Sequence, residues 1–102
     1  MELKYPILFS HSKDKPGLYT AKFLDLPIGT IEGDSLIRVS NQIQDIAKKW
    51  FLDAVKLRKS IPGETSMSIA GMYLKPDEFL GVFTIDIDLD PYRIECTLEE
   101  IK

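Results

Sequence analysis

Three aspartates occupy alternate positions late in the chain: Asp86, Asp88 and Asp90. Calcium loops begin with carboxylates at this spacing, but they also need a glycine at position six and a carboxylate at position twelve. Pro91 and Thr97 occupy those two positions here. The aspartates also alternate with apolar residues, which is typical of a strand with one face in solvent. We therefore predict a solvated acidic strand face and no metal site.

The chain has one histidine, His11, and one cysteine, Cys96. A nucleophile–base pair needs a positioned serine or cysteine, whereas Ser10 and Ser12 are sequence neighbours of the histidine without an orienting motif. We interpret His11 as an exposed turn residue and Cys96 as a small hydrophobe on the apolar side of its strand. A single thiol excludes an internal disulfide framework and a cysteine-based metal site. The sequence therefore predicts no catalytic residue, no cofactor and no enzyme activity.

A set of basic residues on one predicted helix, three of them in its last turns, could contact RNA phosphates. The set comprises Lys48, Lys49, Lys56, Arg58 and Lys59. The last three also complement the negative end of the helix dipole. The whole chain carries 13 basic and 16 acidic residues, a formal charge of −3, which argues against affinity built on many phosphate contacts. A basic partner fits this charge better, and RNA binding is the alternative.

Alternating apolar and polar residues predict five strands, near 3–9, 18–24, 28–32, 81–89 and 92–98. The first two should form an antiparallel hairpin across a turn that ends in Pro16-Gly17. Pro6 indicates that the first strand lies at an edge or has a free N–H position there. Residues 98–102 read as a frayed end or one helical turn.

Apolar residues at spacings of three and four predict one long amphipathic helix between the third and fourth strands. Asp34 or Ser35 should cap it, and Ile61-Pro62-Gly63 should stop it. The predicted buried stripe is Leu36, Val39, Ile43, Ile46, Ala47, Trp50, Ala54 and Leu57, with Trp50 as its central packing residue. Segment 64–76 reads as a loop with at most a short strand.

The order β-β-β-α-β-β leaves this helix no apolar partner except the sheet. The predicted fold class is therefore α+β: a two-layer domain, residues 1–102, with one long helix packed on one face of an antiparallel sheet. A composition of 44% hydrophobic and 28% charged residues is ordinary for such a domain. We see no signal-peptide run and no apolar stretch that could span a bilayer, so we expect a cytoplasmic protein without a membrane partner.

Taken together, these residues resemble the HicB antitoxin family, in the form of a stand-alone N-terminal HicB domain. The resemblance begins with Lys4-Tyr5-Pro6-Ile7, continues through Gly17-Leu18-Tyr19-Thr20-Ala21 and centres on the segment from Asp25 to Ser35. Members of the family typically show a D-L-P-G-C-x-T-x-G-D-T type segment that leads into the long helix. The acidic strand ending at Asp90 also fits in place.

The resemblance implies a function that composition does not show. Such antitoxins bind a small basic HicA-type toxin, an RNase, and block its active site. Many also carry a C-terminal DNA-binding segment, but no such pair of helices follows the last predicted strand, so we expect no DNA binding from this chain by that route. We expect Asp86, Asp88 and Asp90 to face the basic toxin. We also expect a homo-oligomer, since strand 92–98 could pair across a two-fold axis.

Overall fold

The fold is described by a computed structural model for residues 2–11, 14–15, 17–72, 74–89 and 92–101. Its elements are β1 (Glu2–His11), β2 (Tyr19–Phe23), β3 (Thr30–Gly33), α1 (Leu36–Lys56), α2 (Met67–Gly71), β4 (Glu78–Leu89) and β5 (Tyr92–Ile101). All strand pairs are antiparallel, and the strand order is β3-β2-β1-β4-β5. The predicted α+β class, with one long helix on a five-stranded antiparallel sheet, is confirmed.

One face of the sheet, the inner face, packs against α1 and holds the main core. Because side chains alternate along a strand, Tyr5, Ile7 and Phe9 of β1 lie on this face beside Phe83 and Ile85 of β4. The helix contributes five buried residues, Val39, Ile43, Ala47, Phe51 and Ala54. Burial of these apolar side chains is the main favourable contribution to folding.

Helix α1 begins and ends at well-formed caps. The Ser35 hydroxyl accepts a hydrogen bond of 3.1 Å from the Arg38 N–H, which confirms the predicted N-cap. The opposite side of the helix is charged and exposed. In the described part of the chain, no helix combines the length and the apolarity that crossing a membrane requires.

The centre of the helix stripe lies about one position away from the prediction. Trp50 is half-buried, and Ile46 and Leu57 are 36% and 64% exposed. The residue at the centre is Phe51, which is fully buried and has ring contacts with Tyr5 at 5.6 Å and Phe83 at 6.4 Å. Two adjacent aromatic residues satisfy the helical period almost equally well, and only the sheet beneath decides which one points inward.

Pro6 lies in the central strand, so of the two predicted alternatives the edge position is wrong and the free N–H position is the one observed. The N–H group of Lys4 bonds to a carboxylate oxygen of Glu64, on the side away from β4. Residues of the same parity direct their N–H groups to the same side, so the Pro6 nitrogen also faces away from β4. Pairing of β1 with β2 begins only at Ile7, and therefore the missing N–H of Pro6 removes no ladder hydrogen bond.

The segment after α1 crosses to the other side of the sheet, the outer face. There α2 covers part of that face, and Ala70 packs against Leu8 and Leu80. The short strand considered for segment 64–76 is wrong, since residues 67–71 are helical and Ser66 caps them. Helix α2 thus adds a partial third layer to the predicted two.

Two strand ends also differ from the prediction. Strand β5 continues to Ile101, because it stays in register with β4 as far as Leu80, instead of fraying after Leu98. Strand β3 begins at Thr30 and not at Ile28, because Gly29 has a φ of +86°, a left-handed conformation that ends extended pairing.

Substitution of Phe51 by alanine should lower the free energy of unfolding by about 3–5 kcal/mol, because it removes a fully buried ring. Trp50→Ala should have a smaller effect, about 1–2 kcal/mol, because the indole is half in solvent. Urea denaturation followed by circular dichroism measures both. A larger effect at Trp50 than at Phe51 would contradict the helix orientation.

Candidate functional site

The aspartates of β4 lie on the outer face of the sheet, in the part that α2 leaves open. Asp86 is directly opposite Glu2 of β1 on one side and Glu95 of β5 on the other. Asp88 is exposed and lies opposite Arg93. Asp90, the third predicted residue, lies outside the described residues. The structure therefore places two of the three predicted acids on one surface and gives them acidic neighbours.

We call this surface the acidic face and define it by five carboxylates: Glu2, Asp86, Asp88, Glu95 and Glu99. Among the described residues, Lys4 and Arg93 are the cations on the same part of the sheet. Lys4 Nζ lies 3.9 Å from Glu2 Oε1, and Arg93 Nη1 lies 3.7 Å from Glu95 Oε1. Both pairs are exposed, so solvent screens them and they add little stability. The balance of charge on this surface is negative.

A shallow depression of about 190 Å³ lies within the acidic face. Glu2, Thr84, Asp86, Glu95, Cys96 and Thr97 line it. Carboxylates and hydroxyls can accept hydrogen bonds from lysine and arginine side chains. No cluster of histidine, cysteine and carboxylate residues suited to a metal ion occurs among the described residues.

Glu2, Glu95 and Glu99 were not among the predicted site residues. The alternation of β5 indicates that Glu95 and Glu99 share one strand face, but their position beside Asp86 depends on the register of three strands. That register is decided by tertiary packing of the inner face. The sequence therefore indicates which face of each strand carries the acids, but it does not indicate that acids of three strands lie side by side.

The five basic residues of the alternative site are all exposed but do not form one patch. Lys48 lies on the side of α1 that faces β5, where its charge acts on the Cys96 thiol. Lys49 lies at four-residue spacing between Asp45 and Asp53, which partly offset its charge. Lys56, Arg58 and Lys59 are together at the end of the helix.

That helix end is a Schellman motif built around Arg58. The Lys59 N–H donates to the Ala54 carbonyl at 2.8 Å, and the Arg58 N–H donates to the Val55 carbonyl at 3.2 Å. Arg58 has a φ of +52°, in the left-handed region where glycine is usual at this position. The backbone conformation therefore places an arginine where glycine would be less strained.

His11 does not pair with a nucleophile. Its ring lies 4.9 Å from that of Tyr19, and its Nε2 accepts a long hydrogen bond of 3.4 Å from the Gly17 N–H. Adjacent residues of a strand point to opposite faces, and the Ser10 hydroxyl bonds to that of Thr20 instead. Ser12 lies outside the described residues. His11 is exposed, as predicted, but it is the last residue of β1 and pairs with Tyr19, so its predicted position in the turn is wrong.

Cys96 is half-buried on the inner face, where it packs against the core as predicted. Burial raises the pKa of its thiol, and the positive charge of Lys48 only partly opposes this effect. A thiol with a raised pKa forms little of the reactive thiolate at neutral pH. The cysteine therefore has the properties of a packing residue and not of a nucleophile.

The Asp25–Ser35 segment, which carries most of the family resemblance, has structural roles in this chain. Asp25 accepts two hydrogen bonds from Thr65, 3.0 Å from its N–H and 2.6 Å from its hydroxyl. A Cβ atom added to Gly33 would lie 2.7 Å from the Val39 side chain, so glycine allows β3 to approach the helix. Ser35 caps the helix.

The segment 62–65 acts as a strap across the end of β2. The Tyr5 hydroxyl donates to the Pro62 carbonyl at 2.7 Å, the Lys4 N–H donates to the Glu64 carboxylate, and the Thr65 N–H donates to Asp25. These contacts join residues about 40 to 60 positions apart in the chain. The strap holds the chain where it passes from α1 to the outer face.

Comparison with known proteins does not identify relatives. No protein-family model matches the chain, and neither a curated protein nor a solved structure shows significant similarity to it. The functional argument therefore depends on the residues and the geometry described above.

The buried Tyr5 hydroxyl, which bonds to the strap, should make the protein less stable at alkaline pH. Burial, with smaller contributions from the charges of Glu64 and Asp25, raises the pKa of Tyr5 from 10.0 to about 12. The neutral phenol is thus favoured in the folded state. Its contribution to stability is complete below pH ~10 and is lost as the pH rises towards ~12.

The phenylalanine of a Tyr5→Phe variant cannot ionise. As the pH rises above ~10, the free energy of unfolding of this variant should therefore fall less than that of the wild type. Near neutral pH the variant should be about 1 kcal/mol less stable, because the bond to Pro62 is lost. Urea titrations at several pH values measure the difference. An equal alkaline decline in both proteins would contradict a buried phenol.

Proposed function

We propose that this chain is a HicB-like antitoxin that binds a small basic RNase of the HicA type and occludes its active site. The chain acts by binding and performs no catalysis itself. The proposal places it in the cytoplasm and includes a homo-oligomeric state. The observation that supports it best is the row of three carboxylates across neighbouring strands, Glu2, Asp86 and Glu95.

Such a row concentrates negative charge at one place on the sheet. Adjacent strands are about 4.8 Å apart, so the three carboxylates lie within about 10 Å of one another. Cationic side chains form charge-assisted hydrogen bonds with carboxylates, which makes the acidic face a favourable place for a basic partner to bind.

The order of elements is compatible with the resemblance. The three strands, the long helix and the acidic strand follow one another as the family pattern implies. The Asp25–Ser35 segment leads into α1 and carries structural hydrogen bonds, so its residues support the placement of the helix and are not proposed to contact the toxin.

An RNase that cleaves RNA must itself attract phosphates with positive charge. The acidic face can occupy the same cationic side chains, because carboxylates form charge-assisted hydrogen bonds with lysine and arginine. Occlusion by this route is both steric and electrostatic. Long-range attraction between the partners should raise the association rate, and added salt should lower it.

The test is the double substitution Asp86→Lys with Asp88→Lys. It should weaken toxin binding about tenfold or more, mainly through slower association, because it replaces attraction by repulsion. The fold should tolerate it, since the lysine introduced in place of Asp86 would lie between the carboxylates of Glu2 and Glu95. Binding kinetics at two salt concentrations measure the effect on a toxin captured with the tagged chain from the lysate of its host.

Glu32→Lys is the matched control. Glu32 is an exposed acid on the same sheet face but in β3, at the opposite edge of the sheet. It should leave toxin binding unchanged. The proposal also requires that the captured protein is a basic RNase and that the chain inhibits its cleavage of RNA at near-equal stoichiometry. Unchanged affinity of the aspartate variant would remove the acidic face from the interface.

RNA binding through the helix end is the second candidate, favoured by the three adjacent exposed cations Lys56, Arg58 and Lys59. Arg58→Gly tests it without damage to the helix. Glycine suits the φ of +52°, so this variant should be about 1 kcal/mol more stable than Arg58→Ala, as measured by thermal unfolding. Equal stability of the two variants would contradict the left-handed conformation.

Both Arg58 variants lose the same charge. If RNA binds here, both should shift a labelled RNA less than the wild type does, with a weaker dependence on salt. The absence of any RNA shift by the wild type at low salt would eliminate this candidate.

A further inference from the structure

Strand β5 forms one edge of the sheet, and its second edge offers a complete row of backbone groups. It has ten residues and stays in continuous register with β4, from the Leu89–Tyr92 pair to the Leu80–Ile101 pair. Native proteins usually protect an edge of this length with charged side chains, proline, a bulge or a covering segment. Strand β5 has no proline, and its register shows no bulge, but it carries the charged residues Arg93, Glu95 and Glu99, so its charges decide which strand can pair with it.

The direction of the edge groups follows from the hydrogen bonding of β1. Because the Lys4 N–H faces away from β4, the Lys4–Thr84 pair is not hydrogen-bonded, and Thr84 directs its backbone groups towards Thr97 of β5. Odd-numbered residues of β5 therefore bond to β4. The backbone groups of Ile94, Cys96 and Leu98 point to the open edge.

A second copy of the chain fits this edge in one favourable register. When two β5 strands are antiparallel about an axis at Cys96, each Arg93 lies opposite Glu99 of the other copy. Ile94 then lies opposite Leu98, and Glu95 lies opposite Thr97. Every charged pair in this register is complementary, and the apolar residues of the inner face meet each other.

Neighbouring registers with the same face alignment are unfavourable. A shift of the axis to Glu95 places two Glu95 carboxylates opposite each other. A shift to Thr97 places Glu95 opposite Glu99. A shift to Ile94 pairs Arg93 with Glu95 but uses only about half of the strand, and a shift to Leu98 has no like-charge clash but does not form the Arg93–Glu99 pairs. The charges of β5 thus favour one register when two copies of the strand pair.

We propose that two copies of this chain pair edge to edge through β5, antiparallel about a two-fold axis at Cys96, to form one continuous ten-stranded sheet. About six main-chain hydrogen bonds join residues 94–98 of the two strands. The Arg93–Glu99 pairs occupy non-hydrogen-bonded positions, where side chains approach most closely. This interface gives the homo-oligomer of the proposed function its surface and register, but its evidence is the edge of β5 and not the acidic face, so each can fail without the other.

Charge reversal tests both the interface and its register. Arg93→Glu and Glu99→Arg should each raise the dissociation constant of the dimer about tenfold or more, because symmetry places two like-charge pairs in the interface. The double variant Arg93→Glu with Glu99→Arg restores complementary pairs and should recover the wild-type constant. Sedimentation equilibrium measures all four proteins, and circular dichroism checks their fold.

Glu2→Lys is the control for a change of net charge. It lies in β1, two strands from the open edge, so it should leave the dimer intact while it alters the acidic face. A wild-type chain that is monomeric at high concentration would overturn the proposal. So would single variants that dimerise normally, or a double variant that stays monomeric although both single variants dissociate.

The position of the axis has a second test. Hydrogen-bonded antiparallel pairs have Cα atoms about 5.5 Å apart, which lies within the range of a disulfide. At mildly alkaline pH, where the Cys96 thiolate forms despite its raised pKa, diamide accepts two electrons and two protons from a pair of thiols and should therefore link Cys96 of one copy to Cys96 of the other. The wild type and the double variant should form this covalent dimer, and the single variants should not. Its absence in a dimeric wild type would overturn the register.

Discussion

Burial of the central strand on both of its faces is the constraint on which the rest of this structure depends. Residues 5–9 of β1 are all buried. The inner side chains lie under α1, and the outer ones, Pro6 and Leu8, are covered from the other side. A strand in this position reads as a continuous apolar run and requires cover on two sides. The long helix supplies only one of these covers, so the chain must return across the sheet to provide the second.

The strap and α2 provide the second cover, over the outer face of β1. Because β2 pairs with β1 only from Ile7 onward, a gap is left beside the first half of β1. Tyr5 and Lys4 donate hydrogen bonds to the crossing segment, and Asp25 accepts one from it, so the segment is held in this gap. The gap also explains how a proline is accommodated in a central strand. Within the described residues, no buried side-chain nitrogen or oxygen is left without a hydrogen-bond partner.

The acidic face, which is proposed to bind the partner, is the part of the sheet that this arrangement leaves open. Helix α2 covers the part of the outer face near Leu8 and Leu80, and the acids lie on the remaining part, towards Asp86. Their exposed ion pairs contribute little to folding, so the charge stays accessible to a partner. Helix α1, on the opposite face of the sheet, carries its cations at different positions around its circumference, and some of them lie beside acidic residues. The acidic face therefore concentrates its carboxylates in one row, whereas the basic residues of α1 are dispersed.

Much of this architecture could be predicted from the sequence, because alternation and helical periodicity are local properties. The five strands, the long helix, its Ser35 cap and the exposed side of Asp88 all follow from such patterns. The choice of Phe51 over Trp50 as the core residue does not, since both fit the helical period. The row formed by Glu2, Asp86 and Glu95 does not follow either.

The order of the strands placed β1 in the centre and β5 at an edge, and it brought together acids from three separate segments. The sequence by itself therefore determined which face of each element is apolar and which residues carry charge. Only the tertiary structure decided which strands are neighbours and in what register. The physical reason is that burial of the inner face is a cooperative property of all five strands and α1, whereas each pattern in the sequence describes one element at a time.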